Sequence, residues 1–512
     1  MSQPSRREFV AGGLVTAGVS SAAAAQSGWR AGPVQHILPA ASHNALLIKT
    51  SFSAPVRAPR LVVNGKAVPG RATDGGGRYW TFKATGLRAD RAHELSIDAG
   101  AQGGTDAWSL RTTPAPDAQP ERLRVLAFTC AGGDEDNISD GRRAFNPLTT
   151  RRALLQRGLD FQPDAVIAIG DHIYWDQETG LRRSAGAWPA LNKRVGLFSP
   201  QVDDAENRRV LATIGDRQIA GLYGVSLRST PVWFVRDDHD YFENDEFIDG
   251  RGTMPPSSFN RTLTEQIQAM FWPGFLPDRN RPSGLPAEAF GTLRWGRLFE
   301  ALMYDCRGHL SASESAAYFV PPAAEAWIAS RTRDRSIAHV AQTPSTPWGW
   351  SAGKWGEWYP DFLGGDGTLT TAKAKPGWRN GWFEQHQRLL SLAGSRGRNG
   401  VVLSGDLHAV GAARIERSGS VRPANEVHSI LTGPLGTDDL AFPSAFRGTR
   451  PAPASGMVLE VSQEPLEKNG FTILDIERHS IRIRQFAWRG PTPVSAIARL
   501  DPILDKTVLA RT

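Results

Sequence analysis

The feature that most constrains the fold is a series of polar clusters, each placed directly after a short apolar run. The clusters comprise residues 129–130, 170–174, 236–240, 305–307 and 405–408, and they are rich in Asp, His, Tyr and Cys. In layered α/β sheets the carboxyl ends of the strands converge on one crevice, so side chains far apart in sequence can meet there. The pattern therefore predicts an α/β domain with a functional site at its strand ends.

The apolar runs themselves indicate how this domain is built. Runs at residues 123–128 and 165–169 read as buried strands, and helical spacing at 148–157 between them predicts a β-α-β unit. Later predicted elements are strands at 232–235, 301–304, 400–404, 426–431, 471–476 and 481–486, and a helix at 383–392. Parallel units come first and an antiparallel-looking group closes the chain, which favours a layered α/β domain over a single doubly wound sheet.

The segment before this domain has a different residue pattern. Short strand-like runs separated by Gly, Pro, Asn and Asp occupy residues 30–113 without any helical segment, which predicts a small all-β sandwich of immunoglobulin or fibronectin type. Residues 114–121 are proline-rich and read as a linker. The predicted catalytic domain then spans 122–500, and 501–512 is left as a C-terminal tail.

The N-terminus has the layout of an export signal. Arg6 and Arg7 precede a mildly apolar, glycine-containing segment, and small residues follow at 23–25, so we interpret residues 1–25 as a twin-arginine signal peptide. The alternative, a disordered basic tail, does not explain the order of these features. The expected partner is the twin-arginine export machinery, and the expected location is the bacterial periplasm or the exterior. No apolar run is long enough to predict a membrane span.

Composition excludes several classes of function. The 512 residues carry 59 Lys and Arg against 52 Asp and Glu, a net charge of +7, with no basic cluster interleaved with aromatic residues. A nucleic-acid-binding surface is therefore not predicted. The two cysteines, Cys130 and Cys306, are too few for a fold built on disulfides.

Crowded carboxylates require a cation. Several Asp side chains within a few ångströms of one another repel and take up protons unless a highly charged ion lies among them. The mixture of many oxygen donors with one thiolate and few imidazoles favours a multi-metal centre. A zinc hydrolase fits less well because neither an HExxH nor a paired CxxC motif occurs.

The clusters, taken in chain order, form a recognisable series. They resemble the motifs of the PhoD-like alkaline phosphatases, a branch of the calcineurin-type metallophosphoesterases, in the segments FTCAGG, AIGDHIYWDQ, RDDHDYFEND, MYDCRGH, WFEQHQRLL and VVLSGDLHAVG. The β-sandwich and the export signal are similar to that family too. The resemblance implies a four-layered αββα metallophosphoesterase sandwich, preceded by the small all-β domain.

The resemblance also implies roles for individual residues. Asp171 would bridge two metal ions, and the implied ligands are Cys130, Asp171, Tyr174 and His408 for Fe3+, and Asp238 and Asp406 for a divalent ion, typically Ca2+. Asn244 is a weaker candidate for the divalent site. The sequence alone does not decide whether Asp237 or Asp238 points inward, since neighbouring strand residues face opposite sides.

Two residues complete the implied catalytic set. His239 would stand beside the substrate oxygen, where histidine, with its ordinary pKa near neutrality, can donate a proton to the leaving group. Arg307 would bind phosphate, for which its guanidinium fork is suited. The alternative for Arg307 is an ion pair with an Asp at a strand end.

Two further alternatives stay open. Cys130 could form a disulfide with Cys306 in an oxidising compartment instead of binding metal. The segment 347–381 and the adjoining Trp382 contain six tryptophans, which either line the pocket for the leaving group or pack the segment onto the domain.

The function that follows is metal-dependent hydrolysis of phosphomonoesters and phosphodiesters by a metal-activated water. One alternative is a phospholipase D-type phosphodiesterase. Another is a non-catalytic exported binding protein, which the completeness of the site disfavours because no implied ligand position holds an apolar residue.

Overall fold

The computed structural model describes residues 28–139, 141–175, 204–241, 255–276, 281, 284–286, 289–313, 317–364, 368–371, 381–395, 397 and 399–510. The predicted signal peptide and Asn244 lie outside these residues. Within them, no helix combines the length and apolar character needed to cross a bilayer.

A small all-β domain opens the described chain. Its strands are β1 (Val34–Ala41), β2 (Ala45–Phe52), β3 (Arg60–Val63), β4 (Lys66–Pro69), β5 (Arg71–Ala72), β6 (Tyr79–Thr85), β7 (Ala92–Asp98) and β8 (Trp108–Arg111). They form two antiparallel sheets, ordered β1-β2-β6-β5 and β4-β3-β7-β8. Apolar side chains of both sheets, Leu46 and Leu95 among them, pack into one core. The predicted β-sandwich is therefore confirmed as an all-β unit.

The rest of the chain supplies the strands of an α/β unit. These are β9 (Arg122–Thr129), β10 (Ile138–Ser139), β11 (Arg142–Arg143), β12 (Ala165–Ile169), β13 (Val232–Val235), β14 (Phe290–Trp295), β15 (Phe299–Tyr304), β16 (His339–Pro344), β17 (Trp350–Ser351), β18 (Phe362–Leu363), β19 (Leu369–Thr370), β20 (Gly400–Ser404), β21 (Val410–Ser418), β22 (Val427–Thr432), β23 (Ala452–Pro453), β24 (Met457–Leu466), β25 (Asn469–Glu477), β26 (Ser480–Trp488) and β27 (Leu504–Leu509).

Its helices are α1 (Leu148–Leu159), α2 (Asp204–Gly215), α3 (Gly221–Tyr223), α4 (Ser258–Phe271), α5 (Pro322–Arg333), α6 (Phe383–Ala393) and α7 (Pro443–Phe446). Helix α4 begins where the Ser257 hydroxyl accepts the backbone N–H of Asn260 at 3.1 Å. Pro322 opens α5, a position where its missing N–H and fixed φ suit a helix start.

Two large mixed sheets organise this unit. One is ordered β13-β12-β9-β25-β26-β27 and the other β14-β15-β16-β20-β22-β21-β24. Strands β9, β12 and β13 run parallel to one another, as do β15, β16, β20 and β22. The carboxyl ends within each parallel group therefore lie at the same edge of their sheet.

Alternation along the strands produces four layers. In β9, Val125 and Ala127 face the other sheet and share a core with Ala301 and Leu403 of that sheet. The intervening β9 residues face a core that includes side chains of α1, α2 and α4. A third core joins the outer face of the second sheet to α5 and α6. The predicted αββα arrangement is confirmed.

The β-sandwich packs against α4 of the larger unit. Lys49 Nζ donates to the carbonyl of Ala269 at 2.6 Å, and His36 Nε2 lies 3.0 Å from the carbonyl oxygen of Phe271. Both carbonyls belong to the last turn of α4, where the helix leaves its own acceptors unpaired. Strands β1 and β2 therefore also satisfy the end of this helix.

The C-terminal residues 501–512, left as a tail by the sequence, contain a strand instead. Strand β27 pairs antiparallel with β26 and extends the first sheet by one edge strand. Its sequence, LDKTVL, alternates too weakly for pattern recognition, because only Val508 is buried. The pairing arises from the open edge of β26 and from an exposed Arg482–Asp505 ion pair.

Candidate metal centre

Six strand ends deliver the candidate side chains to one crevice. Cys130 follows β9, Asp171 follows β12, and Asp237 and Asp238 follow β13. From the second sheet, residues 305–307 follow β15, residues 345–346 follow β16, and residues 405–408 follow β20. The convergence predicted from the sequence is present.

Close approach of two strand ends depends on a glycine. Gly170 has φ +67°, and a Cβ built there would lie 2.5 Å from the Cβ of Asp237. Glycine adopts a positive φ readily, and because it has no Cβ it avoids the collision with Asp237. Gly170 therefore lets the ends of β12 and β13 come together.

The first group of side chains surrounds Asp171. Its Oδ2 accepts from Cys130 Sγ at 3.2 Å and from the Tyr174 hydroxyl at 2.9 Å. That hydroxyl also lies 2.9 Å from His408 Nε2, while His408 Nδ1 lies 2.6 Å from the carbonyl oxygen of Ala441. Potential ligand atoms of Cys130, Asp171 and His408 all lie within 4.8 Å of one another. We call this set, with Tyr174, the thiol cluster.

The second group consists of carboxylates from both sheets. Potential ligand atoms of Asp237, Asp238 and Asp406 lie within 4.8 Å of one another, and the same holds for Asp171, Asp238 and His239. We call Asp237, Asp238 and Asp406 the carboxylate cluster. Asp171 belongs to the thiol cluster and Asp238 to the carboxylate cluster, and their ligand atoms lie within 4.8 Å of each other, so the two clusters are contiguous.

Two cations lie among these carboxylates. Arg307 Nε donates to Asp237 Oδ1 at 2.7 Å, and its Nη2 donates to Asp406 Oδ2 at 3.1 Å. Lys354 Nζ donates to Asp238 Oδ2 at 2.9 Å and also contacts Asp406 Oδ1. Arg307 thus makes the strand-end ion pairs that the sequence left as its alternative role.

Asp240 ties the loops of the first sheet together. Its Oδ1 accepts the backbone N–H groups of His172 at 2.9 Å and Ile173 at 3.3 Å, and its Oδ2 accepts those of Asp171 at 3.0 Å and Asp237 at 2.9 Å. One buried carboxylate therefore fixes the two loops that carry Asp171 and Asp238.

Burial dominates the electrostatics. It raises the pKa of Asp171 well above the ordinary value, and the charges of Asp238 and Asp406 add to the effect. It also raises the pKa values of the Cys130 thiol and the Tyr174 hydroxyl. Asp238 is the exception: burial acts upward, but Lys354 and other neighbouring cations hold its pKa well below the ordinary value.

Unpaired oxygen atoms test whether these residues suit a metal ion. Among the described residues, Asp171 Oδ1, Asp237 Oδ2 and Asp238 Oδ1 are buried and have no hydrogen-bond partner. A buried acceptor without a partner is costly, and a cation satisfies it directly. Thiolate, phenolate, imidazole and carboxylate donors are all metal ligands. The donor set therefore fits metal ions.

The comparisons with known proteins agree with this geometry. Residues 148–484, more than half of the chain, match the model of a family described as PhoD-like phosphatase. The protein belongs to the PhoD-like phosphatase family. It is accordingly a metal-dependent phosphoric ester hydrolase.

Solved structures show the same fold for this PhoD-like phosphatase. The structure of PhoD covers 93% of this chain and 93% of its own, with 12% identity and a TM-score of 0.59. A purple acid phosphatase from yellow lupin seeds covers 94% of this chain and 74% of its own, with 12% identity and a TM-score of 0.55. No curated protein sequence matches the chain.

The eight predicted site residues of this phosphatase form one contact network. They are Cys130, Asp171, Tyr174, Asp238, His239, Arg307, Asp406 and His408. His239 is half-buried, and its ring centroid lies 4.3 Å from that of Tyr174. Their individual roles remain predictions.

Sequence reasoning missed Lys354 and Asp240. Between Asp237 and Asp238, both of which are buried in the site, only the family resemblance favoured Asp238. Lys354 comes from a segment without strand or helix periodicity, so no pattern linked it to the other clusters. Asp240 lay within the DDHD motif, and the crowding of acids there was the available signal.

The structure also answers the two open alternatives. Cys130 and Cys306 are both free and buried, so they do not form a disulfide. Of the six tryptophans in 347–381 and at its end, four are fully buried, namely Trp348, Trp350, Trp358 and Trp382. Trp355 packs against Phe362, and Trp378 lies outside the described residues. These four rings pack the segment onto the domain rather than line a pocket.

Proposed function

We propose that this protein is an exported hydrolase of phosphomonoesters and phosphodiesters that uses a metal-activated water. The observation that supports the proposal most directly is the buried network of Cys, Tyr, His and Asp side chains at the strand ends of both sheets. Such a donor set has no packing function, because apolar residues of similar size would avoid its desolvation cost.

The thiol cluster suits a trivalent ion, which we propose to be Fe3+. Cys130, Asp171, Tyr174 and His408 offer three groups that become anionic on binding and one imidazole, a combination that stabilises high positive charge. A divalent ion, Ca2+ by the family resemblance, would use the oxygen donors of Asp238 and Asp406.

When bound, these ions polarise the phosphoryl group and lower the pKa of a coordinated water. The chain's own residues position the reactants. Asp171 has one oxygen in the thiol cluster and the other free of hydrogen bonds among the described residues, so it can join the two ion positions. Asp240 holds the loop that carries it.

His239 and Arg307 act on the substrate in this proposal. The His239 ring is half-buried and reaches the edge of the site beside Asp171 and Asp238, where it can give a proton to the departing alkoxide. Arg307 is fixed between Asp237 and Asp406 and supplies positive charge near the phosphate oxygens.

A substrate panel tests the activity. Metal-loaded protein is assayed on p-nitrophenyl phosphate, bis-p-nitrophenyl phosphate and phosphatidylcholine, beside Asp171→Asn as the inactive variant and Asp117→Asn, an exposed linker position, as the matched control. We expect turnover of the first two substrates in wild type and in the control. A selective preference for phosphatidylcholine would support the phospholipase D-type alternative. Loaded protein that hydrolyses none of them contradicts the proposal and supports a binding protein.

Elemental analysis tests the ions. Protein exported by its own host should contain iron and absorb visible light, because ferric thiolate and phenolate groups are coloured. A colourless, iron-free sample with full activity contradicts the Fe3+ assignment.

Cell fractionation tests export. Replacing the twin arginines, Arg6→Lys together with Arg7→Lys, should leave the protein in the cytoplasm, since the signal is read through that pair. Unchanged export of the double variant contradicts the twin-arginine route.

A further inference from the structure

The position expected for the divalent ion already contains a positive charge of the chain. Lys354 Nζ lies 2.9 Å from Asp238 Oδ2 and also contacts Asp406 Oδ1, and the residue is only 7% exposed. Asp238 follows a strand of the first sheet and Asp406 follows a strand of the second. The ammonium group therefore bridges the two sheets through the two residues implied as ligands of the second ion.

The loop that presents Lys354 is held on both sides. Glu357 accepts the Ser351 hydroxyl at 2.5 Å and the backbone N–H of Ala352 at 2.7 Å, which closes a turn around the lysine. Arg307 Nη1 donates to the carbonyl of Gly356 at 2.7 Å. The buried rings of Trp350 and Trp358 anchor the two ends of this turn.

Packing of this kind removes most of the conformational freedom of the lysine before any substrate binds. A long surface lysine loses rotamer entropy when it is fixed, which weakens its ion pairs. Here the hydrogen bonds of the buried turn hold the Lys354 backbone where its ammonium group contacts both carboxylates.

Of the four carboxylate oxygens of Asp238 and Asp406, one, Asp238 Oδ1, has no hydrogen-bond partner among the described residues. Asp406 Oδ1 contacts Lys354 and its Oδ2 accepts from Arg307. Ca2+ binds carboxylate oxygens at about 2.3–2.6 Å. Lys354 Nζ lies 2.9 Å from Asp238 Oδ2, so an ion bound to that oxygen would lie against the ammonium group. An ion and an ammonium at the same oxygens would also repel each other. The two cations therefore compete for Asp238 and Asp406.

We propose that Lys354 is a tethered cation that fills the position between Asp238 and Asp406, so that a divalent ion binds to both carboxylates only by displacing it. This inference rests on the proposed function. The enzyme holds one ion tightly at the thiol cluster, and the Lys354 ammonium supplies the second positive charge beside the phosphoryl group. A divalent ion is then a weakly held, exchangeable component, and removing it leaves turnover largely intact.

Calcium titration tests the competition directly. Iron-loaded wild type, Lys354→Met, Lys354→Arg and Lys66→Met, an exposed control, are freed of loosely held ions with a chelator and titrated with Ca2+ in a calorimeter. Losing the competitor should raise the Ca2+ affinity of Lys354→Met by about 10- to 100-fold, the range that changes around metal ligands produce. Lys354→Arg keeps the charge and should bind Ca2+ as weakly as wild type, as should Lys66→Met.

Activity provides a second readout. Wild type should keep its turnover after chelator treatment, whereas Lys354→Met should require added Ca2+. Equal Ca2+ affinity in wild type and Lys354→Met overturns the inference. If Lys354→Met does not fold, wild type alone decides: a second tightly held equivalent of metal overturns the inference, and a single tight equivalent supports it.

The outcomes separate the two proposals. A wild type that contains iron and hydrolyses phosphoesters, combined with an unaltered Lys354→Met titration, defeats only the role of Lys354. A wild type that binds no metal at the thiol cluster and hydrolyses none of the esters defeats the proposed function itself.

Discussion

Replacing Asp240 by Asn should loosen the loops of the metal centre while leaving the rest of the fold in place. The Asp240 carboxylate accepts four backbone N–H groups, two at each oxygen. An Asn side chain has one oxygen acceptor, and its amide nitrogen donates only. Two of the four donors would therefore remain buried without an acceptor.

The size of the effect follows from that count. A buried donor left without a partner costs about 1–3 kcal/mol, so two of them reduce the free energy of unfolding by about 2–6 kcal/mol. Burial raises the pKa of Asp240, while the N–H groups of Asp237 and His172 act in the opposite direction. Part of the loss should appear locally, as weaker metal binding.

Three measurements check this prediction. Hydrogen exchange of the amides of Asp171, His172 and Asp237 should quicken in Asp240→Asn, metal content should fall, and the denaturant midpoint should decrease. The exposed Asp117→Asn serves as the matched control. An Asp240→Asn protein with wild-type exchange at those amides, wild-type stability and full metal content would refute the positioning role.

The remaining predictions concern single residues. Asp171→Asn should lose both bound metal and phosphoester turnover, since the amide has no negative charge and only one acceptor oxygen; retention of both would contradict the site. Cys130→Ser should lose the proposed iron and its visible absorbance, whereas Cys306→Ser should keep both, because only Cys130 is in the thiol cluster. Burial lowers the pKa of His36 from 6.5 to about 4. As the pH falls, His36 is therefore protonated in the unfolded chain before it is protonated in the folded protein, and the free energy of unfolding should fall by about 3 kcal/mol between pH 6.5 and 4. Denaturant unfolding across that range should show a smaller decline in His36→Gln.

The sequence predicts those parts of the fold that strong local patterns determine. Strands such as β12 (Ala165–Ile169) and β13 (Val232–Val235) were predicted at their observed bounds because uniformly apolar runs of this length are typical of buried parallel strands. The placement of Asp171 and Asp406 followed from the same reasoning, since both directly succeed such runs.

Other parts depend on tertiary partners that a linear pattern does not contain. Strand β27 forms because β26 offers it an open edge, and its own alternation is weak. Lys354 enters the site because the segment around it packs against the second sheet. Neither fact is visible in the residue types of the segment alone.

The backbone at the metal centre has one more property. Cys130, Asp171, Asp406 and His408 have φ values of +46°, +55°, +67° and +49°, a region that side-chain-bearing residues seldom occupy. Such conformations cost about 1–3 kcal/mol each and persist only where the surroundings enforce them.

The unusual backbone limits how this centre could be transplanted. A designer who copied only the side chains onto regular strand ends would aim them in different directions, because each Cα–Cβ vector here is set by its left-handed turn. The turns, the Asp240 carboxylate that holds their backbone and the glycine at position 170 would have to be transferred together. The same restriction applies to substitutions during evolution. Val, Ile or Thr at the four positions with positive φ would strain the main chain and remove a potential ligand atom.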